Sequence, residues 1–111
     1  MSEHKLCRFD DLADLSGRSF VLSDESGGHR IVVVRHGARV FGYINACPHI
    51  GTALDMISDD FVDADAKLLM CALHGARFRI EDGVCVAGPC VGDALRSFPI
   101  VVRDGNVYAQ A

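Results

Sequence analysis

Long apolar runs are absent. No stretch of the 111 residues approaches the roughly 18 consecutive apolar residues that a membrane-spanning helix requires, so no membrane partner is expected. A hydrophobic signal core is missing as well, because the first residues, Met1 to Cys7, are largely polar. Basic residues are not in excess: 11 Lys and Arg stand against 15 Asp and Glu, for a net charge of −4. Nucleic acids and acidic lipid surfaces recruit clustered Lys and Arg, so neither is expected as a partner. The five cysteines do not form an even set, whereas a secreted disulfide scaffold would pair its thiols. These absences together lead to the expectation of a cytoplasmic protein in a reducing compartment. No Gly-x-Gly-x-x-Gly turn between a strand and a helix is present, which excludes the usual dinucleotide site.

What is present suits a folded chain. Half of the residues are apolar and 23% are charged, which argues against disorder, and the length fits one domain spanning residues 1–111. Residues 4–9 read as a first edge strand. Asp10 to Gly17 reads as a turn or one helical turn ended by glycine, and Ser19 to Leu22 as a short strand before a polar turn at 23–28. Ile31-Val32-Val33-Val34 is β-branched and is expected to be buried on both faces. It turns at His36-Gly37-Ala38 into Val40 to Ile44. Lys67 to Met70, Arg77 to Ile80 and Val84 to Val86 follow, and residues 95–102 with 106–109 make a last hairpin around Asp104-Gly105. Short strands at this spacing, with little helical periodicity, predict an antiparallel sandwich or barrel.

Two short stretches stand apart from that pattern. Cys47-Pro48-His49 and Cys71-Ala72-Leu73-His74 each supply one thiol and one imidazole in the same order, separated by residues 50–70. Two loops of this kind, facing each other, offer two thiolates at one end and two imidazoles at the other. That donor set suits a two-iron cluster with one all-sulfur iron and one iron capped by histidines.

The same residues resemble the Rieske [2Fe–2S] signature, and the resemblance extends from about Phe20 to Tyr108. Glycines follow each ligand pair at Gly51 and Gly75. His74-Gly75-Ala76-Arg77-Phe78, Glu81-Asp82-Gly83 and Gly88-Pro89 are similar to the second cluster loop, hairpin and proline loop of small Rieske ferredoxins. The resemblance implies an all-β, Rieske-like antiparallel sandwich or barrel with a small cluster-binding subdomain at one end. Its cluster loops would lie at about 45–54 and 70–78, and its proline loop at about 87–92. It further implies one [2Fe–2S] cluster ligated by Cys47, His49, Cys71 and His74, with Pro48, Gly51, Gly75, Phe78 and Pro89 around it. Family histidines bind iron through one ring nitrogen and leave the other at the surface. The function implied is one-electron transfer from a flavin-containing, NAD(P)H-linked reductase to a terminal oxygenase, with no catalytic site in the chain itself.

High-potential Rieske proteins carry a disulfide between the two loops and place a serine and a tyrosine hydroxyl near the cluster. Thr52 and Leu73 stand where that disulfide would form, and Ala76 and Phe78 where the hydroxyls would be. Hydrogen bonds to sulfur favour the reduced form, so the potential is expected near the low end of the roughly −150 to +300 mV range of such centres. Asp55, Asp59, Asp60, Asp63 and Asp65 form an acidic stretch without a basic residue. It reads either as a solvated loop or as a docking face for a basic partner. His4, His29 and His36 are expected to be solvated. Cys85 and Cys90 flank Val86 to Pro89 and could approach each other; the ordinary reading is two small buried residues, with a thiol near the cluster as the alternative.

Two other functions fit less well. One is a small subunit held tightly in a redox enzyme such as assimilatory nitrite reductase. The other is a structural zinc module, although zinc pairs usually come as Cys-x2–4-Cys and His-x3–5-His. Spectroscopy separates iron from zinc. The oxidised protein is expected to be red-brown, and anaerobic reduction to give an EPR signal with the low average g of a mixed Cys/His cluster; a colourless, EPR-silent protein would mean zinc.

Overall fold

A computed structural model describes residues 3–24, 27–48, 53–54, 61–71 and 75–110. Within these residues the chain forms three antiparallel sheets and one three-residue 3-10 turn at Phe9–Asp11. The β-branched run lies at the middle of the first sheet, in which β2 (Ser16–Asp24), β3 (Gly27–His36) and β4 (Arg39–Ile44) form a meander. Its β3–β4 turn is two residues long, with His36 opposite Arg39 and Gly37 at φ +65°. Such a left-handed position suits glycine. The second sheet brings the two ends of the chain together: β1 (Glu3–Arg8) pairs with β10 (Asn106–Gln110), which pairs with β9 (Ile100–Arg103). Asp104 and Gly105 both have positive φ, the signature of a two-residue type I′ hairpin. The third sheet runs β5 (Val62–Asp63), β6 (Leu68–Cys71), β7 (Ala76–Arg79) and β8 (Cys85–Ala87).

Ile31, Val32, Val33 and Val34 are all fully buried, as their composition implies. Alternation along β3 divides them between two cores. Ile31 and Val33 pack with Leu12, Leu22, Val107 and Ala109 against the second sheet. Val32 and Val34 pack with Tyr43, Leu69, Phe78 and Ile80 toward the third. Side chains of a strand point to opposite faces in turn, so one strand can serve both layers.

The segment before β9 joins the sheets. Phe98 N–H donates to the Gly42 carbonyl at 2.9 Å, and Ile44 N–H to that of Arg96 at 2.8 Å. Gly42 permits this approach, since a Cβ there would fall 2.3 Å from Ile100 Cγ1 and 2.9 Å from the Phe98 carbonyl oxygen. Tyr43, 2% exposed, donates its hydroxyl to the Ile80 carbonyl at 2.5 Å and ties β4 to the end of the β7–β8 hairpin.

Several local expectations change. Gly17 does not end a turn: it lies inside β2, opposite Val34, and its bare Cα makes room for the Phe61 ring. A Cβ at Gly17 would sit 2.6 Å from Phe61 Cε1, a contact invisible to local pattern. β2 is accordingly longer than expected. Residues 95–99 are not part of the final strand; they hydrogen-bond to β4 through Arg96 and Phe98 and form one isolated bridge, Ser97 to Tyr43. The three histidines are not simply solvated. His29 packs on Phe98 with centroids 5.6 Å apart, and His36 Nδ1 lies 3.3 Å from Glu81 Oε1. His4 Nε2 is buried with no hydrogen-bond partner among the described residues.

Burial is the main cause that pushes the Tyr43 phenol up to about 12, and the Asp82 and Glu81 carboxylates add to it. The folded protein holds this proton more tightly than the unfolded chain. Stability from this group is therefore complete below pH ~10 and is lost as pH rises toward the folded value. Tyr43→Phe is expected to cost about 1–2 kcal/mol at neutral pH through the unpaired Ile80 carbonyl. It should also flatten the loss of stability between pH ~10 and ~12 relative to the parent, as read from urea midpoints.

Candidate metal centre

β4 runs directly into the first loop. Asn45 N–H donates to the Arg30 carbonyl at 2.8 Å, and Ala46 N–H to that of Ile44 at 2.9 Å, so the chain is fixed as it leaves the sheet. The buried Asn45 side chain then accepts a hydrogen bond from Leu54 N–H at 2.7 Å. One amide thus fastens both ends of the loop that contains Cys47, closing residues 46–53. The sequence reading did not single out Asn45; its signal was a polar side chain set between the apolar Ile44 and Ala46, a common place for local side chain–backbone bonding.

Cys47 is 1% exposed and Cys71, the last residue of β6, is fully buried. Both belong to the core that receives Val32 and Val34. Opposite Cys71 in the sheet stands Ala76, and Gly75 N–H donates to the Cys71 carbonyl at 2.9 Å to close the second loop. Gly75 has φ +70°, a backbone conformation that suits glycine, and among the described residues a Cβ there would meet nothing within 4 Å. His49, His74, Gly51, Thr52, Leu73, Asp55, Asp59 and Asp60 lie outside the described residues. Among the described residues no group of three or more metal-ligating side chains gathers, as two of the four expected donors are not among them.

A third loop closes on the other two. Gly88 has φ +97°, and its Cα presses so closely on β7 that a Cβ would be 2.7 Å from Ala76 Cα. The neighbouring Pro89 is exposed, while Cys90 behind it is buried. Close approach therefore belongs to Gly88, which the sequence reading grouped with the proline without a role of its own. Phe78 and Ala76 are both fully buried and offer no hydroxyl. Beside Cys47 and Pro48 an open hollow of about 270 Å³ is lined by Ile44, Ala46, Ala94 and Arg96.

The acidic stretch splits on inspection. Asp63 forms an ion pair with Arg77, and its carboxylate also accepts from Ala66 N–H at 3.1 Å. The backbone bond first, and Arg77 second, hold its carboxyl below the usual range. Asp63 is therefore committed within the fold, whereas Asp65 is exposed. The donors that are described fit an iron–sulfur group. Two buried, unoxidised thiols at the ends of separate loops share one core, and soft anionic sulfur is the donor that ferric iron and sulfide require.

Comparisons with known proteins agree with this arrangement. The family model described as the Rieske [2Fe-2S] domain matches residues 2–99. The chain is 29% identical to the 3-phenylpropionate/cinnamic acid dioxygenase ferredoxin subunit of Photorhabdus laumondii, over 97% of this chain and 93% of that protein. It is 32% identical to the ferredoxin component of the alkene monooxygenase system of Xanthobacter autotrophicus, over 92% of this chain and 75% of that one. Among solved structures, the ferredoxin of carbazole 1,9a-dioxygenase from Nocardioides aromaticivorans superimposes with a TM-score of 0.77. That match has 28% identity and covers 98% and 97% of the two chains.

The contact between Gly88 and Ala76 can be tested directly. Gly88→Ala places a Cβ against β7 at a left-handed φ and is expected to cost roughly 2 kcal/mol. It should also lower iron retained per chain after gel filtration, because the third loop can no longer close. Unchanged stability and iron content would show that this approach is dispensable.

Proposed function

The chain belongs to the Rieske [2Fe–2S] domain family, and from that premise we propose how it works: as a one-electron carrier to a terminal oxygenase, with Cys47, His49, Cys71 and His74 holding its single cluster. A cluster bound there supplies reversible uptake and release of one electron. Cys47 and Cys71 contribute anionic sulfur from inside the core, where water is excluded. His49 and His74 contribute neutral nitrogen, so the centre carries less negative charge than an all-cysteine one and accepts an electron more readily. Asn45, Gly75 and Gly88 keep the three loops in place, which limits rearrangement between the two charge states.

The observation that carries this reading is the pair of buried thiols, each ending a strand or its extension and both within one core, in a chain whose relatives are ferredoxin components of oxygenase systems. In this reading the acceptor is an oxygenase, as the relatives' names suggest, and the donor is the flavin-containing, NAD(P)H-linked reductase that the family resemblance implies. The whole chain acts as one domain in the cytoplasm and transforms no substrate itself. No helix among the described residues is long and apolar enough to cross a membrane.

Anaerobic titration with dithionite tests this reading. Freshly prepared protein is expected to hold two irons and two sulfides per chain and to take up one electron. Cys47→Ser and the double variant His49→Ala/His74→Ala should each abolish the mixed-ligand spectrum. An iron-free parent protein, or a double variant with the parental spectrum, would sink the assignment.

A further inference from the structure

The electron-transfer function leaves Cys85 and Cys90 unused. Cys85 opens β8 and Cys90 follows the Gly88-Pro89 turn, and both are buried free thiols. The Cys90 thiol donates to the Cys85 sulfur at 3.0 Å, and the Cys85 thiol donates to the Ala87 carbonyl at 3.2 Å. A packing role asks only for two small apolar side chains; it does not ask for sulfur to face sulfur. The main chain fixes that arrangement. Cys85 N–H donates to the Asp93 carbonyl and Asp93 N–H to the Cys90 carbonyl, each at 2.9 Å. Val84 and Ala94 form a bridge beside them, and Leu95 N–H donates to the Gly83 carbonyl at 2.9 Å. Both cysteines are therefore held by one short ladder of backbone bonds.

We propose that Cys85 and Cys90 are a reversible disulfide site, oxidised by a small-molecule disulfide of the glutathione class, and that the bond locks the third loop over residues 86–89. Bonded sulfurs lie about 2.05 Å apart, so the pair closes by roughly 1 Å, a distance that side-chain rotation covers with the backbone ladder intact. The site uses no part of the cluster and does not depend on Cys47 being a ligand.

The pair lies one layer beneath the surface. Val86, Ala87, Gly88 and Pro89 between the cysteines are exposed, as are Val91, Gly92 and Asp93 after them. Opening of this short loop, without unfolding of the core strands, gives access to both sulfurs. One cysteine then attacks the incoming disulfide, forming a mixed disulfide and releasing one thiol; the second cysteine displaces the other half. The two cysteine sulfurs lose two electrons, and the incoming S–S bond gains them as it breaks. The two cysteine protons end on the two released thiols. The new bond spans the residues that carry the Gly88 contact with Ala76, so the loop no longer lifts by itself. In a reducing compartment such a bond is transient, which suits a site that responds to redox poise.

The tryptic peptide 80–96 contains both cysteines and no other, which makes the bond easy to read. The iron-loaded protein is equilibrated anaerobically with glutathione buffers of rising oxidised-to-reduced ratio, acid-quenched, alkylated and digested, with iron content measured in parallel. The peptide is expected to escape alkylation at both cysteines, to weigh about 2 Da less than the free dithiol, and to recover with dithiothreitol. Cys85→Ala and Cys90→Ala should instead leave the remaining cysteine alkylated or joined to glutathione. Amide hydrogen exchange over residues 86–92 should slow about tenfold in the cross-linked form. A peptide still alkylated at both positions in the most oxidising buffer, or a bond from Cys90 to any other cysteine, overturns the site. Equal exchange rates overturn the locking role. Iron-free protein that still forms the bond would support this site while overturning the ligand assignment, so the two failures are distinguishable.

Discussion

Burial of β3 on both faces is the constraint from which the rest of the structure follows. Each Val or Ile moved from water to a core contributes about 1.5–3 kcal/mol, and four such residues in a row are fully buried. The surface ion pairs, such as Arg79–Asp82 at 3.1 Å and Arg103–Glu3, are screened by water and do not compete with that term. A strand that is apolar on both faces has one weakness. A slip of one residue exchanges one apolar face for another, so the strand does not define its own register. Gly42 supplies what is missing. It stands opposite Val33, at the place where Ile100 and the Phe98 carbonyl press on β4, and no residue with a Cβ fits that approach.

The two cores have different roles. The one receiving Ile31 and Val33 closes the chain ends through β1 and β10 and lies away from the proposed chemistry. The one receiving Val32 and Val34 contains Cys47, Cys71, Cys85 and Cys90, and so positions the loops. Three polar or steric links then act on that core. Tyr43 ties β4 to Ile80, the Asn45 amide closes the first loop on Leu54, and Gly88 seats the third loop on Ala76. The first link is long-range and the other two are shorter, and each restrains a loop or hairpin against the core. A site that changes charge by one electron benefits from such rigidity, because its surroundings reorganise little between states.

Much of the fold was legible in the residues. The β-branched run, the Asp104-Gly105 turn and the hairpin after Ile80 are local patterns, and their backbone preferences do not depend on distant partners. The misreadings share one cause. Gly17 looked like the end of a turn because its partner, Phe61, lies in another sheet's approach. Asp63 looked like part of a solvated acidic face because Arg77 comes beside it only when β5 to β7 pair. His29 looked exposed until Phe98 packed against it.

The order of residues alone determined the strand pattern, the antiparallel class and the family, because alternation, turn chemistry and the two Cys/His pairs are written at short range. It also implied the candidate ligand set, as the spacing within each pair is a property of one loop. Only the tertiary structure decided that Asn45 closes the first loop, that Gly88 rather than its neighbours makes the close approach, and that the Cys85 and Cys90 sulfurs lie 3.0 Å apart in the core that holds Cys47. Those outcomes depend on which separate strands meet in one core, and burial of apolar surface, which is non-directional, leaves no short-range mark of where such meetings occur.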